Sequence, residues 1–155
     1  MVDAVESGRV PPSPAISAKF AALRRSDTVP EIRLRRELHG LGLRYRVQYR
    51  VPGLPRRRVD IAFTRARLVV LVDGCFWHGC PEHGPIPKTN TQWWLEKFER
   101  NRLRDRDTDQ RLALLGWTVV RVWEHEPSEA AASEIERVYR ALIRQGMHPP
   151  RPSNR

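Results

Sequence analysis

Hydrophobic and polar positions along the chain change period several times, and each change marks an expected element. Asp27-Thr28 followed by Pro30 and Glu31 reads as a helix start, with a side-chain acceptor ahead of a Pro and an acid in the first turn; the helix is expected over Pro30–His39. Gly40 and Gly42 punctuate its end. Leu43–Val51 then alternates basic with apolar or aromatic residues, the pattern of a half-buried strand. Val59–Phe63 and Leu68–Val72 read as two short strands joined by the basic turn Thr64-Arg65-Ala66-Arg67, and the second is apolar enough to lie in the middle of a sheet. Cys75–Lys88 is rich in Gly and Pro and is expected to be a loop. One long polar helix should cover Thr91–Leu115, stopped by Gly116, followed by a strand over Trp117–Trp123 and a last helix over Pro127–Arg144. This order implies one α/β domain over residues 19–146, a central mixed β-sheet flanked by helices. Residues 1–18 and 147–155, with their Pro, small and charged residues, are expected to be mobile arms when the protein is alone.

Composition narrows the partner. A chain of 155 residues is enough for one core without disulfide staples. The formal net charge is +10, from 28 Lys and Arg against 18 Asp and Glu, and Arg dominates. Arg grips phosphate through two parallel hydrogen bonds, so a nucleic-acid backbone suits this usage better than a membrane surface. The longest purely apolar run, Leu68–Val72, is far below the roughly 20 residues that span a bilayer. The N-terminus carries Asp3 and Glu6 and no apolar stretch, so no signal peptide is read there; the expectation is a cytoplasmic monomer. Two cysteines in that setting favour metal ligation or free thiols over a disulfide.

The chemistry-bearing residues gather in the middle of the chain. Asp60 lies early in one expected strand and Asp73 ends the next, so strand pairing would bring both carboxylates to one end of the sheet. A hard cation such as Mg²⁺ is held by such acids with a backbone carbonyl, although solvated strand-end acids are equally ordinary. His78 sits in the loop beyond Asp73, where an imidazole can accept a proton from water, or stand by. Phe76 and Trp77 are adjacent large aromatics in a Gly-flanked loop; they either belong to the core or wedge into duplex DNA. Trp93, Lys97, Asn101, Asp105 and Asp109 recur every four residues on the long helix, a stripe that would normally be solvated. With Arg100, Arg102, Arg104 and Arg106 interleaved, the helix could instead lie against DNA while Asp105 orients His78. Cys75, Cys80 and His83, with His125 just after the last strand, form a set that suits a closed, structural Zn²⁺ site; the alternative is free thiols and surface histidines.

The run Val72-Asp73-Gly74-Cys75-Phe76-Trp77-His78, then Pro87-Lys88-Thr89-Asn90-Thr91 and Trp94-Leu95-Glu96-Lys97, resembles the very-short-patch (T:G) mismatch repair endonucleases. So do Leu115-Gly116-Trp117 and Val122-Trp123-Glu124, and with Asp27-Thr28 and Pro30-Glu31 the resemblance covers residues 19–126. It implies a nuclease core related to restriction enzymes and Mg²⁺-assisted nicking on the 5′ side of the T in a T:G pair. It also implies double-stranded DNA as partner, with a cytosine-5 methyltransferase and other repair proteins as candidate associates, in the bacterial cytoplasm at the nucleoid. Carried over residue by residue, Asp60 corresponds to the metal-binding aspartate and the Val72 carbonyl to a second ligand, His78 to the general base, Asp105 to its orienting acid, and Glu31 to an acid near the metal. Phe76, Trp77 and Trp94 correspond to an aromatic wedge, Phe20 and Leu23 to an inserting N-terminal arm, and Lys97 and Asn101 to residues that sense the mismatch. The chain departs from the family pattern where Asp73 replaces a His, which makes it either a further candidate for the magnesium site or the replacement of a phosphate contact. It departs again where Val59 replaces a Pro behind the basic run Arg56-Arg57-Arg58, and where His125 replaces a frequent Cys. A restriction-type nuclease on matched or modified DNA, and a zinc-bearing DNA-binding module without activity, are the competing expectations.

Overall fold

The computed structural model describes residues 14–15, 26–84 and 86–146. Phe20, Leu23, the tail from residue 147 and most of the expected first arm lie outside them. Helix α1 (Val29–Gly40) is followed by strands β1 (Arg46–Tyr49), β2 (Val59–Phe63) and β3 (Leu68–Asp73), helix α2 (Thr91–Leu114), strand β4 (Thr118–Trp123) and helix α3 (Ser128–Arg144). The four strands form one mixed sheet in the order β1-β2-β3-β4. The first three run antiparallel in turn, and β4 joins parallel to β3. A parallel neighbour requires a crossover, and the loop after Asp73 together with α2 provides it.

The sheet is covered on both faces, which is why β3 is apolar on both. Leu68 and Val70 point to the side where α1 and α3 contribute Leu34, Leu38 and Ile135. Val69 and Leu71 point to the other side, where α2 contributes Leu112. Side chains alternate along a strand, so Asp73, two residues beyond Leu71, falls on the α2 side. On β4, Val120 and Val122 belong to the α1/α3 side and Val119 packs on the α2 side. Arg121 therefore shares the α2 side with Asp73. Helix α3 presents Ala131, Ala132, Ile135 and Leu142 as one buried stripe. Helix α2 has few apolar anchors, Trp94, Phe98 and Leu112, and the rest of its docking is polar.

Every expected element is present, with two local differences. The strand expected over residues 43–51 is observed over Arg46–Tyr49, and inside it Gln48 adopts a φ of +47° while Val47 and Tyr49 on either side keep one register with β2. Leu43 and Val51 stay buried on either side of it. At the start of α1 neither Thr28 nor Asp27 caps with its side chain. Glu31 reaches back instead, its Oε2 accepting the Asp27 backbone N–H at 2.9 Å. That contact satisfies an N–H just ahead of the helix, the acid half of a capping-box arrangement.

Candidate active site and metal centre

The loop leaving β3 is ordered by its own backbone. His78 N–H donates to Gly74 O at 3.1 Å, Cys80 N–H to Cys75 O at 2.9 Å, and Gly84 N–H to Cys80 O at 2.9 Å. Gly84 lies so close to this turn that a Cβ would stand 2.6 Å from Cys80 O and 3.0 Å from Cys75 O. The same turn aims three side chains in three directions.

Cys75 and Cys80 point inward, where the donor atoms of Cys75, Cys80, His83 and His125 all lie within 4.8 Å of one another. His125 Nδ1 is 3.1 Å from Cys75 Sγ and 3.6 Å from Cys80 Sγ. Burial, the Cys80 hydrogen bond and the Glu124 charge push the Cys75 thiol up to about 11. Two buried thiols facing two imidazoles are the donor set of a tetrahedral cation, and a cation is what would draw the protons off the thiols. The set spans the loop and the residues after β4, so a metal there ties the two together. Glu124 adds a second tie, its Oε1 accepting the Cys75 N–H at 2.8 Å.

Phe76 points toward α2. Its ring meets Trp77, Trp94 and Phe98 edge-on at centroid distances of 5.2, 5.2 and 5.6 Å. Trp94 is 8% exposed and Phe98 4%. Of the three expected wedge residues, then, Phe76 and Trp77 are half-buried and Trp94 is a buried packing platform behind them. Asn101 Nδ2 donates to Trp77 O at 2.9 Å and so holds the loop backbone, while Lys97 lies 6.0 Å from the Trp93 ring centroid.

His78 points between the sheet and α2. Its Nδ1 is 2.5 Å from Asp105 Oδ2, and its Nε2 is 3.8 Å from Asp73 Oδ1. Burial disfavours charge on the ring, but the Asp105 hydrogen bond and the Asp73 and Asp105 charges outweigh it and raise its pKa. Burial would raise the Asp105 carboxyl, yet the hydrogen bond from His78 and the His78 and Arg121 charges bring it below the usual range. An ionised Asp105 accepts the Nδ1–H and leaves Nε2 as the acceptor nitrogen of the neutral ring. The helix stripe is thus not a solvated face. Asn101, Asp105 and Asp109 reach, respectively, the aromatic loop, His78 and Arg121, while Arg100, Arg102, Arg104 and Arg106 are exposed.

Asp60 and Asp73 each have their own hydrogen-bond partner. Asp60 Oδ2 accepts the Val72 N–H at 2.7 Å, and its carboxylate neighbour is Glu31, which is only 4% exposed. Burial above all raises the Asp60 pKa, and burial followed by the Asp60 charge raises that of Glu31. A buried and a half-buried acid, adjacent and each resisting ionisation, form a site that a hard cation would relieve. Asp73 is instead taken by Arg121, whose Nη1 donates to Oδ1 at 2.7 Å. A cleft of about 350 Å³ is lined by α1, the start of α3 and the residues after β4, with Val72 and His125 among its walls.

Sequence reading missed Arg121, Arg35 and Arg57. Arg121 was signalled by a charge inside Val119-Val120-Arg121-Val122. Arg35 was signalled by its place four residues after Glu31, whose Oε2 it meets at 3.2 Å while also meeting Asp27 at 2.6 Å. Arg57 had no signal: within the run Arg56-Arg57-Arg58 it alone turns to α2, pairing with Asp107 at 2.6 Å and Thr108 Oγ1 at 2.6 Å.

Fold and site define a three-layer α/β protein with an acid–imidazole centre beside a thiol–imidazole one. The profile of the family described as "DNA mismatch endonuclease Vsr" matches residues 14–82. The chain is 45% identical over 121 residues to the type II nicking enzyme V.NaeI of Lentzea aerocolonigenes, covering 77% of this chain and 73% of that one. It is 42% identical over 115 residues to the type II nicking enzyme V.XorIIP of Xanthomonas oryzae pv. oryzae, 72% and 81% of the two chains. It is 41% identical over 113 residues to the DNA mismatch endonuclease Vsr of Escherichia coli, 70% and 68% of the two. The chain belongs to the Vsr family and is a DNA endonuclease. Among the described residues no helix is long and apolar enough to cross a membrane.

Proposed function

We propose that the chain nicks one strand of duplex DNA on the 5′ side of the T in a T:G mismatch, by Mg²⁺-dependent hydrolysis. The observation that carries this reading is His78 Nδ1 at 2.5 Å from Asp105, in a fold that also sets Asp60 against the buried Glu31. Asp60 and the Val72 carbonyl, with Glu31 beside them, would hold the magnesium ion; Asp73 is already committed to Arg121. Bound there, the ion supplies charge stabilisation at the phosphate. His78 Nε2 takes the proton of the water whose oxygen bonds to phosphorus, Asp105 keeps the ring in that tautomer, and the P–O3′ bond breaks, leaving a 5′ phosphate and a 3′ oxygen that takes a proton from solvent. Zn²⁺ at Cys75, Cys80, His83 and His125 is structural and fixes the turn that carries both His78 and the aromatic pair. Phe76 and Trp77 wedge into the distorted step, with Trp94 supporting them from behind, and Lys97 and Asn101 sense the mispair. Phe20 and Leu23 insert from the other side. Under this reading the enzyme acts as a monomer on nucleoid DNA in the bacterial cytoplasm, with a cytosine-5 methyltransferase and other repair proteins as candidate associates.

The names of the nicking-enzyme relatives favour a second reading, in which the nick falls in matched or modified DNA. Purified full-length protein with Mg²⁺, given a T:G duplex and its T:A control, separates the two. One nick in the T:G duplex alone is expected. Equal cutting of both duplexes, or of neither, overturns the mismatch reading, and double-strand cuts in the matched duplex point to a restriction-type enzyme.

A further inference from the structure

We propose that Arg121 is a positioning residue of the nuclease centre: it holds the Asp73 carboxylate away from His78 Nε2 and fastens Asp105 in place. The inference rests on the nuclease reading of His78 and Asp105. Arg121 is the charge inside a strand whose neighbours are Val119, Val120 and Val122, and alternation turns it under α2. One guanidinium there serves three acids. Nη1 donates to Asp73 Oδ1 at 2.7 Å, Nε and Nη2 fork onto the Asp109 carboxylate at 3.0 and 2.8 Å, and Nη2 donates to Asp105 O at 3.4 Å. Nη2 also stands 3.8 Å from Asp105 Oδ1.

Asp73 makes that arrangement matter. Its Oδ1 is 3.8 Å from His78 Nε2, the nitrogen that must stay open to accept a proton from water. With a small movement a carboxylate so near can accept a hydrogen bond from Nε2–H and so hold the ring in its protonated form, in which it is no longer a base. Arg121 holds the same oxygen and prevents it. The fork onto Asp109 anchors the guanidinium to α2 one turn beyond Asp105, so the holder of Asp73 and the partner of His78 move as one body. Stability alone does not call for this network, since buried ion pairs are often replaceable by neutral groups without loss.

The test compares Arg121→Met, Arg121→Lys, Asp109→Asn and the double variant Arg121→Met/Asp73→Asn, each checked for folding by its unfolding midpoint. Single-turnover nicking of a T:G duplex with Mg²⁺ is read together with the ¹⁵N shifts of the His78 ring at one pH. Arg121→Met should lower kcat about 10- to 100-fold with KM near that of the wild type, and shift Nε2 to a hydrogen-bonded value. Arg121→Lys keeps the charge but not the fork and should fall between. Adding Asp73→Asn should restore much of kcat and the open Nε2 signal, while Asp109→Asn should stay closer to wild type than Arg121→Met. The proposal is overturned if folded Arg121→Met keeps kcat and the Nε2 shift, if Asp73→Asn brings no recovery, or if Asp109→Asn falls as far as Arg121→Met, the result of a mere strap. Should Arg121→Met not fold, Arg121→Lys decides the same points. A wild type that cuts no duplex defeats the nuclease reading, and the ring shifts still decide the positioning.

Discussion

Replacing Phe98 by Ala should unfasten the aromatic loop from the helix it leans on. Phe98 is 4% exposed, so nearly its whole side chain leaves water on folding, and its ring lies 5.6 Å from Phe76 and 5.9 Å from Trp94. Truncation of a buried Phe costs about 3–5 kcal/mol, of which each aromatic pair accounts for a fraction of a kcal/mol to somewhat more. The cluster is on one side of the sheet near the surface and can partly collapse, which favours the lower end, about 3 kcal/mol. For a chain of this size each kcal/mol moves the midpoint by roughly 2–4 °C, so thermal unfolding should shift down by roughly 6–12 °C. Leu112→Ala is the control. It empties the same helix face at 0% exposure, far from the loop, and should cost a comparable 2–5 kcal/mol. Nicking measured below both transitions should then fall much further in Phe98→Ala, because Phe76 and, through the loop, His78 lose their backing. Tryptophan fluorescence should report Trp94 becoming wetter in Phe98→Ala and unchanged in Leu112→Ala. Equal nicking by the two variants, or a Phe98→Ala midpoint within a degree of wild type, would refute the view that this cluster positions the loop.

Three further outcomes follow from the same geometry. The protein as purified should hold one zinc ion by metal analysis, and Cys75→Ser/Cys80→Ser should hold none and lose cooperative unfolding; full stability in that variant would sink the structural-zinc proposal. Gly84→Ala would set a methyl against two backbone carbonyls and one amide of the zinc turn, so its midpoint should drop and zinc should leave faster to a chelator, whereas an unchanged off-rate would show that the turn relaxes freely. Asp105→Asn should keep the fold but cut kcat about 10- to 100-fold with little change in KM, checked by single-turnover nicking, since the ring loses the ionised partner of its Nδ1–H.

Much of this protein is written locally. Helix starts, Gly stops, the apolar run Leu68–Val72 and the alternation in Trp117–Trp123 are properties of neighbouring residues, and the elements they predict are those observed to within a few positions. The cluster Cys75, Cys80 and His83 was legible for the same reason, since its ligands fall within one turn-rich loop. Gln48 broke the rule, because a left-handed residue within a strand leaves no mark in the alternation. What the fold alone decided is which acid meets which partner. Asp60 and Asp73 looked like a pair from strand ends, yet Asp60 lies beside Glu31 and Asp73 under α2 against Arg121. The stripe from Asn101 to Asp109 reads from sequence either as solvated or as lying against DNA with Asp105 turned to His78; in the fold Asp105 meets His78, and the stripe is the polar seam that docks the helix. Sequence periodicity says which residues share a face of an element, but a buried charge is settled by the charge on the element across from it. That pairing exists only once a parallel crossover has laid α2 over the ends of β3 and β4.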